Sequence, residues 1–430
     1  MSRLGELMAE LCPDGVEYYT LKELGNFYGG ITGKSKDDFI DGNAKFITYR
    51  NVYSNPSLNL NVEDKVKITD GENQRTLEYG DVIFTGSSET PNECGISSVI
   101  TQKTDEKLYL NSFCFVFRFN DPSIMLPDFA KHLFRSDSLR YQICKTASGV
   151  TRFNVSKKLM GNVKLPVPPL EVQREIVRIL DSFTLFTAEL TAELTARKKQ
   201  YECYRDMLLN FDVHRGGVFD VEWRTLGDVC NVVAGGTPSK KNSKFWANGT
   251  IKWLGSTVCQ NKKTIDSVTG YITEQGLRSS SAKMMKKGTT LIALVGATIG
   301  KIAYLPFEAA INQNIAGVYP KDTTVLEPAY VYHVCKTLYP KFLALIQGSS
   351  LAMANLSFVR GLQIPIPSLE VQKRLVNVLD NFEAICTDLN IGLPAEINAR
   401  QKQYEYYRDT LLTFVEKGKI IGGGGTQIVL

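Results

Sequence analysis

The chain has few of the residues that mark a metal-dependent or disulfide-stabilised protein. Its 430 residues include only three histidines, and its nine cysteines are scattered without a C-x-x-C pair. Structural zinc sites and disulfide frameworks need closely spaced cysteines or histidines. The spacing therefore argues against both kinds of site, and a reducing cytoplasm is the expected compartment.

Long apolar runs are also missing, so no segment is expected to span a bilayer. The N-terminal sequence "MSRLGELMAELCPDG" lacks the basic-then-apolar order of a signal peptide. A composition of 43% hydrophobic and 22% charged residues is typical of a globular protein, and the length predicts two or three domains. The net charge of +5 permits a nucleic-acid partner without requiring one.

Nucleotide-binding motifs are incomplete. The stretch "YGGITGKS" (28–35) ends like a phosphate-binding loop, but Tyr28 stands where the first glycine of that motif belongs. The stretch "LVGATIGKI" (294–302) is neither G-x-G-x-x-G nor a phosphate-binding loop, which favours a packed strand and turn. An NTP- or cofactor-dependent enzyme built on 29–35 or 296–301 is therefore only an alternative hypothesis.

The sequence contains an internal repeat, which is its most informative feature. Three stretches return in order in the second half: "LPVPPLEVQREIVRILDSF" (165–183) as "IPIPSLEVQKRLVNVLDNF" (364–382), "ARKKQYECYRDMLLNF" (196–211) as "ARQKQYEYYRDTLLTF" (399–414), and "GVEYYTLKEL" (15–24) as "DVEWRTLGDV" (220–229). Weaker echoes link Asn111 to Asn312. Each half therefore consists of a variable segment followed by a segment that is nearly identical in the two halves.

The repeated segments are predicted to be long helices. Apolar residues recur at steps of three and four from Phe183 to Phe211, without proline or glycine, which is typical of a coiled-coil face. The second copy is the obvious partner, and the two helices would pack antiparallel. The alternative is that each helix packs only on its own lobe. Gly392 and Pro394 should break the second copy, which would make the two segments unequal.

The variable segments are predicted to form lobes that contain both strands and helices. Strands are predicted at 44–53, 80–86, 112–119, 251–257 and 289–296, and helices at 128–145 and 328–347. The isolated histidines His132 and His333 lie on predicted helices, where packing is favoured over catalysis; His214 is also isolated. The sequence thus predicts an α+β fold with two similar globular lobes, separated by two long antiparallel coiled-coil helices and related by a pseudo-two-fold repeat.

Two variable regions, each closed by a "P-L-E-V-Q … L-D-x-F … K-Q-Y-E-x-Y-R-D-x-L-L-x-F" type of segment, resemble the specificity subunit of type I restriction-modification systems. The resemblance covers essentially the whole chain and is strong in the repeated segments. It implies five regions: a first target-recognition domain (1–164, with a short N-terminal helix at 1–12), a helical spacer (165–213), a second target-recognition domain (214–363), a second spacer (364–416) and a flexible tail (417–430).

The resemblance also implies a function. Each target-recognition domain would read one half of a split, asymmetric site in double-stranded DNA, and the helices would set the spacing and dock two methyltransferase subunits. Restriction and translocase subunits would join afterwards. The chain itself would be non-catalytic and bind no cofactor, with S-adenosylmethionine, ATP and Mg²⁺ on the partner subunits. In agreement, the sequence lacks the Asn/Asp-Pro-Pro-aromatic stretch that an adenine methyltransferase needs to hold a flipped base.

Candidate DNA contacts are polar and basic residues at predicted loop ends, although each could equally be a solvated surface residue. They are Thr32, Lys34, Ser35, Lys36, Tyr49, Arg50, Asn51 and Arg152 in the first lobe, and Thr237, Ser239, Lys240, Lys241, Ser256, Lys283, Lys286 and Lys287 in the second. Both glycine-rich turns carry hydroxyl and basic residues, which suits the approach to a phosphate backbone.

Candidate docking residues lie in the repeated segments, because two copies of one partner need two copies of one surface. They are Glu171, Gln173, Tyr201, Arg205 and Asp206, with their counterparts Glu370, Gln372, Tyr404, Arg408 and Asp409. Tyr201 and Tyr404 could instead be internal to the helix pair.

The tandem "TAELTAEL" (187–194) suggests that the length of this helix sets the distance between the two lobes. Four residues add about 6 Å and slightly more than one turn to a helix, whereas one base pair adds about 3.4 Å to DNA. One added unit would thus change the lobe separation by a base pair or two. The alternative is a good helix-forming sequence repeated by chance. A rival hypothesis for the whole chain is a duplicated scaffold that joins two proteins without reading DNA.

Overall fold

The computed structural model describes residues 2–211, 221–346 and 353–418. The chain divides into two compact units, one made of 1–189 with 398–430 and the other of 190–397. His214 and residues 419–430 of the predicted tail (417–430) lie outside the described residues.

The first half of the chain contains seven α-helices and twelve strands among its described residues. The helices are α1 (Arg3–Leu11), α2 (Leu21–Leu24), α3 (Tyr49–Ser54), α4 (Pro127–Leu133), α5 (Asp137–Cys144), α6 (Lys157–Met160) and α7 (Leu170–Leu209). The strands are β1 (Tyr18–Thr20), β2 (Gly25–Gly29), β3 (Ala44–Ile47), β4 (Lys65–Val66), β5 (Val82–Thr85), β6 (Ser87–Ser88), β7 (Ser97–Val99), β8 (Leu108–Leu110), β9 (Cys114–Phe119), β10 (Ala147–Ser148), β11 (Phe153–Val155) and β12 (Lys164–Pro166).

Within its described residues, the second half repeats much of this order with ten strands, without a counterpart of the sheet formed by β6, β10 and β11. Its helices are α8 (Leu226–Val229), α9 (Glu274–Arg278), α10 (Pro328–Thr337), α11 (Tyr339–Ile346), α12 (Leu356–Gly361), α13 (Leu369–Thr387) and α14 (Leu393–Leu411). Its strands are β13 (Glu222–Thr225), β14 (Cys230–Ala234), β15 (Ile251–Leu254), β16 (Gly270–Ile272), β17 (Lys283–Met285), β18 (Thr290–Ala293), β19 (Ile302–Tyr304), β20 (Ala309–Ile311), β21 (Ile315–Pro320) and β22 (Gln363–Ile366).

The two lobes share one sheet plan. The first lobe has the four-stranded order β2-β9-β5-β7, and the second has β14-β21-β18-β19. A second sheet places β3 parallel to β8 in one lobe and β15 parallel to β20 in the other. A short antiparallel pair, β1 with β12 or β13 with β22, closes each lobe. The predicted α+β repeat is therefore confirmed at the level of strand pairing.

Local sequence explains where several elements begin and end. Thr20 and Glu23 form a capping box at the start of α2, and Thr225 and Asp228 form the same box at α8, which accounts for the repeated "TL" stretches. The strand predicted at 44–53 is only partly correct, because β3 ends at Ile47 and Thr48 caps α3. The strand predicted at 251–257 likewise ends at Leu254.

The repeated segments are helical, and their predicted inequality is confirmed. The first copy is one continuous helix, α7. The second is broken into α13 and α14, since Asp388 ends the former and Gly392 lies too close to the carbonyls of Ala384 and Ile385 for a side chain to fit.

The helices pair antiparallel within each unit. In the first unit, Phe183 of α7 stacks on Tyr407 of α14, with their ring centroids 5.2 Å apart, and the Arg400 guanidinium lies 5.0 Å from the ring of Phe186. The two helices therefore run in opposite directions. In the second unit, the later part of α7 packs on α13 through Tyr204 and Phe382, whose ring centroids are 5.8 Å apart. The alternative in which each helix packs only on its own lobe is wrong.

The N-terminal segment packs against the end of the last helix. Leu4 of α1 shares a buried cluster with Leu411 and Leu412. The backbone continues this contact, because the amide of Val16 donates to the carbonyl of Val415 at 2.8 Å and the carbonyl of Val16 accepts from the amide of Lys417 at 3.0 Å. Both ends of the described chain thus complete the first unit.

Candidate nucleic-acid interface

Each lobe contains a tight turn built on a buried asparagine. In the Asn111 turn (111–113, between β8 and β9), the backbone and side-chain amides of Asn111 both donate to the carbonyl of Ile47 at 3.1 Å, and its Oδ1 accepts from Phe113 N at 2.9 Å. In the Asn312 turn (312–314), Asn312 N donates to the carbonyl of Leu254, and its Oδ1 accepts from Asn314 N, both at 3.0 Å. The weak sequence echo is therefore a repeated structural feature.

The glycine-rich turns brace these asparagine turns. A Cβ atom on Gly30 would lie 2.0 Å from the carbonyl oxygen of Asn111, and one on Gly235 would lie 1.8 Å from that of Ile311. Backbone bonds hold the contact, with Gly235 N donating to the carbonyl of Asn312 at 3.2 Å. These glycines permit close backbone approach, so Gly30 and Gly235 pack the glycine-rich turns against the asparagine turns.

The lysine of the "GKS" stretch is not open to a phosphate in this structure. The ammonium of Lys34 lies 2.6 Å from a carboxylate oxygen of Glu72, and only 7% of its side chain is exposed. That hydrogen bond lowers the pKa of Glu72 to about 2. Ser35 donates to Asp38 through both its amide and its hydroxyl, whereas Thr32 and Lys36 are exposed.

In the first lobe, Ser87 brings together two of the residues predicted to contact DNA. Arg152 donates to Ser87 Oγ from Nε at 3.1 Å and from Nη2 at 2.9 Å. Tyr49 Oη donates to the carbonyl of Ser87 at 2.9 Å, and burial raises the pKa of Tyr49, which keeps it a donor. The Arg152 guanidinium lies 5.7 Å from the ring of Phe113, an exposed residue that sequence reasoning missed.

The remaining first-lobe candidates differ in exposure. Arg50 is exposed on α3. Asn51 is buried and holds its own loop, since Nδ2 donates to the carbonyl of Asn59 at 2.8 Å and Oδ1 accepts from Asn55 at 2.9 Å. Asn51 therefore supports α3 and offers no free edge to a ligand.

In the second lobe, three predicted residues gather at the Asn312 turn. Thr237 donates to Oε1 of Gln313 at 2.7 Å. Ser256 follows β15, whose Leu254 carbonyl holds Asn312, and Lys283 pairs with Ile311 at the end of β17. Both are at least partly accessible.

The other second-lobe candidates do not join this group. Lys286 and Lys287 follow the opposite end of β17, and the Lys286 ammonium lies 5.9 Å from the ring of Tyr319. Ser239, Lys240 and Lys241 are exposed on the loop after β14. No pattern in the sequence separates these two sets of lysines.

Two predicted docking residues are internal. Gln173 is fully buried: its Oε1 accepts from Leu126 N, and its Nε2 donates to the carbonyls of Ile124 and Pro168, all at 2.8 Å. Gln372 repeats this pattern, accepting from Glu327 N and donating to Val325 and Pro367 at 2.8 to 2.9 Å. We call each arrangement a glutamine clamp, because it ties the lobe to the start of its helix.

The other docking candidates are partly or fully accessible, apart from the buried Tyr201. Glu171, Glu370 and Asp206 are exposed. Arg408 donates to Asp137 at 3.0 Å and to Asp409 at 2.7 Å, and Arg205 pairs with Asp206 at 2.6 Å. Tyr201 is buried, with its hydroxyl 3.2 Å from Glu383, and Tyr404 bonds His132 at 2.8 Å, which places both inside their units.

Histidines and charged groups join each lobe to its helices. His132 of α4 bonds Tyr404 through Nδ1 and Asp181 through Nε2, both at 2.8 Å, and burial lowers the pKa of His132. His333 of α10 bonds Asp380 at 2.7 Å. The predicted packing role of both histidines agrees with these contacts. In the second unit, the buried Glu383 also accepts from Lys336 at 2.9 Å and from Tyr332 at 3.0 Å.

Among the described residues, no group of three or more histidine, cysteine, aspartate or glutamate side chains could hold a metal ion. Within the same ranges, every helix is too short or too polar to cross a bilayer. The segment 294–302 forms the turn between β18 and β19, in agreement with the packed strand and turn predicted there.

Comparison with known proteins identifies the family. The sequence profile of the type I restriction modification DNA specificity domain matches residues 13–197 and 220–399. The specificity subunit of the type I restriction enzyme EcoR124I/EcoR124II of Escherichia coli is 39% identical over 263 residues, which are 58% of this chain and 63% of that protein. A putative type I specificity subunit of Haemophilus influenzae is 33% identical over 285 residues, 62% of this chain and 68% of its own.

A solved structure supports the same fold. A chain from a study of complex assembly and conformational transition of the type I restriction-modification system superposes with a TM-score of 0.64 at 18% identity, covering 93% of this chain and 98% of its own. The two profile matches fall on the two halves of the repeat and together cover most of the sequence. The chain therefore belongs to the family of type I restriction-modification DNA specificity proteins.

Proposed function

We propose that this chain is the DNA-recognition subunit of a type I restriction-modification complex, and that each lobe reads one half of a bipartite, asymmetric site. The observation that carries the proposal is the repeated asparagine turn, which has the same backbone bracing in both lobes but different exposed side chains. One scaffold with two sets of contacts suits two different half-sites. The chain would be non-catalytic and act in the cytoplasm.

Two methyltransferase subunits would dock on the repeated helical segments, and restriction and translocase subunits would join that complex. S-adenosylmethionine, ATP and Mg²⁺ would be bound by these partners. Exposed residues in equivalent positions, such as Glu171 and Glu370, support two matching surfaces. The buried Gln173 and Gln372 would contribute indirectly, by fixing each lobe to its helix.

The "TAELTAEL" stretch would set the distance between the half-sites. It lies within the continuous helix α7, and the division between the two compact units falls inside it, after Glu189. Insertion of a third Thr-Ala-Glu-Leu unit after Leu194 is expected to lengthen the gap by a base pair or two and to leave both half-sites unchanged. Replacement of residues 191–194 by another four-residue helical sequence is the control and should preserve the gap.

Selection from randomised DNA tests the proposed function. The full chain, assembled with its methyltransferase subunits, would be mixed with a randomised duplex library, and the bound fraction would be sequenced. We expect one split motif, which disappears when the chain is omitted, and binding that weakens as salt rises. An assembled complex that enriches no motif would instead favour the scaffold hypothesis.

A further inference from the structure

We infer that the asparagine turns are base-reading positions, with Phe113 making an apolar contact in the first half-site and Gln313 making an amide contact in the second. This inference rests on the proposed function and deepens it. The two side chains occupy the same turn of the shared sheet plan, one residue apart: Phe113 is the second residue after Asn111, and Gln313 is the first after Asn312.

The backbone of each turn is rigid, which a base contact requires. The amide of Phe113 donates to Asn111 Oδ1 at 2.9 Å, and the carbonyl of Phe113 accepts from Gly86 N at 2.7 Å. Gly30 and Gly235 close the opposite side at distances that exclude any side chain. Because these bonds use main-chain atoms and the side chain of the turn's asparagine, and not the side chains of Phe113 or Gln313, those two side chains can differ between the lobes.

The side chain of Phe113 is presented outward. It is 59% exposed, although a phenylalanine is usually buried. The Arg152 guanidinium lies 5.7 Å from the ring and is itself fixed by two bonds to Ser87. An exposed ring beside a fixed cation suits a DNA groove, where the cation meets phosphate or guanine and the ring meets a thymine methyl group.

The side chain of Gln313 is exposed and oriented. Thr237 donates to its Oε1 at 2.7 Å, which fixes the amide and leaves Nε2 and one lone pair of Oε1 for a ligand. A glutamine amide can bond adenine at N6 and N7 together. Lys283, at the neighbouring strand end, supplies positive charge for the adjacent backbone.

Atom-level substitution of the DNA tests the inference on the assembled complex. Once selection has defined the split motif, each thymine of the first half-site is replaced in turn by uracil, and each adenine of the second by 7-deazaadenine. We expect one uracil position to weaken binding by about fourfold, the loss of one buried methyl group, and one deazaadenine position to weaken it by about tenfold. Phe113→Ala should become insensitive to that uracil, and Gln313→Ala to that deazaadenine, while each keeps the motif of the other half-site.

Matched exposed residues away from the turns serve as controls. Tyr141→Ala on α5 and Gln275→Ala on α9 should bind like the unsubstituted chain and keep its sensitivity to both modified bases. If Phe113→Ala is insoluble, Phe113→Asn replaces it. Variants that retain both sensitivities, or a parent complex that tolerates every modified base, would overturn the inference while leaving the split motif intact. A parent complex that selects no motif would overturn the proposed function as well.

Discussion

Gly30 and Asn111 are packed so closely that the space for a side chain on Gly30 is taken by the Asn111 carbonyl oxygen, 2.0 Å from where a Cβ atom would lie. In the second lobe, a Cβ atom on Gly235 would lie 1.8 Å from the carbonyl oxygen of Ile311, the residue before Asn312. Two turns that are far apart in the sequence therefore fix each other's backbone, and the exposed tips of the asparagine turns depend on a glycine some eighty residues earlier.

Gly30→Ala is expected to destabilise the first lobe, because the added methyl group forces the two turns apart. Overpacking of this kind costs about 1–3 kcal/mol, which thermal or urea unfolding would detect. Gly29→Ala is the matched control: the nearest atom to its Cβ is the Lys157 ammonium at 3.8 Å, and the second lobe carries Ala234 at that position. Equal stability of the two variants would contradict the packing role of Gly30.

Gln173→Leu is expected to lower the free energy of unfolding by about 3 kcal/mol. The substitution leaves the amide of Leu126 and the carbonyls of Ile124 and Pro168 without their partner in a buried site, and each such group costs about 1–3 kcal/mol, with partial relaxation. Gln372→Leu should behave alike. Gln401→Leu, on the exposed face of α14, should change stability by less than about 0.5 kcal/mol. A small effect at Gln173 would show that the clamp is dispensable.

Glu383→Leu is expected to cost about 3–5 kcal/mol, because it leaves the buried Lys336 ammonium without its counter-charge. Burial already lowers the pKa of Lys336. The double variant Lys336→Met with Glu383→Leu should recover part of the loss, since no unpaired charge remains, although the hydroxyls of Tyr201 and Tyr332 still lack their acceptor. Asp266→Ala, which breaks the exposed pair with Lys262, is the control and should cost less than about 1 kcal/mol. A double variant no more stable than Glu383→Leu would argue against this account.

Stability should fall as the pH drops below about 6.5, the usual pKa of histidine. Burial lowers the pKa values of His132 and His333 in the folded protein, so the unfolded chain binds more protons in that range. The contribution of the two histidines is complete above pH 6.5 and is lost on acidification towards their folded pKa values. Unfolding measured between pH 5.5 and 7.5 should show a shallower slope for the double variant His132→Asn with His333→Asn. An unchanged slope would exclude the histidines as the cause.

The repeat predicted much of the fold, because helical periodicity and duplication are local signals. The continuous α7, the break at Gly392 and the antiparallel pairing followed from them. The candidate site was harder to predict from the sequence, because Lys34 is held by Glu72 and Arg152 by Ser87, and these partners are distant in sequence. Gln173 and Gln372 occur in both copies, which suggested that they dock a partner. The same set of internal hydrogen bonds in both units explains their repetition equally well. Phe113 carried no signal, because one exposed aromatic residue fits no pattern.

Sequencing-based detection of modified adenines tests whether the two lobes read DNA. A host expressing the chain with its methyltransferase subunits would be compared with one expressing the methyltransferase alone. We expect a single split motif in which both half-sites are methylated only when the chain is present. Methylation that is independent of the chain, or absent although the complex is assembled, would contradict the proposal that the two lobes read DNA.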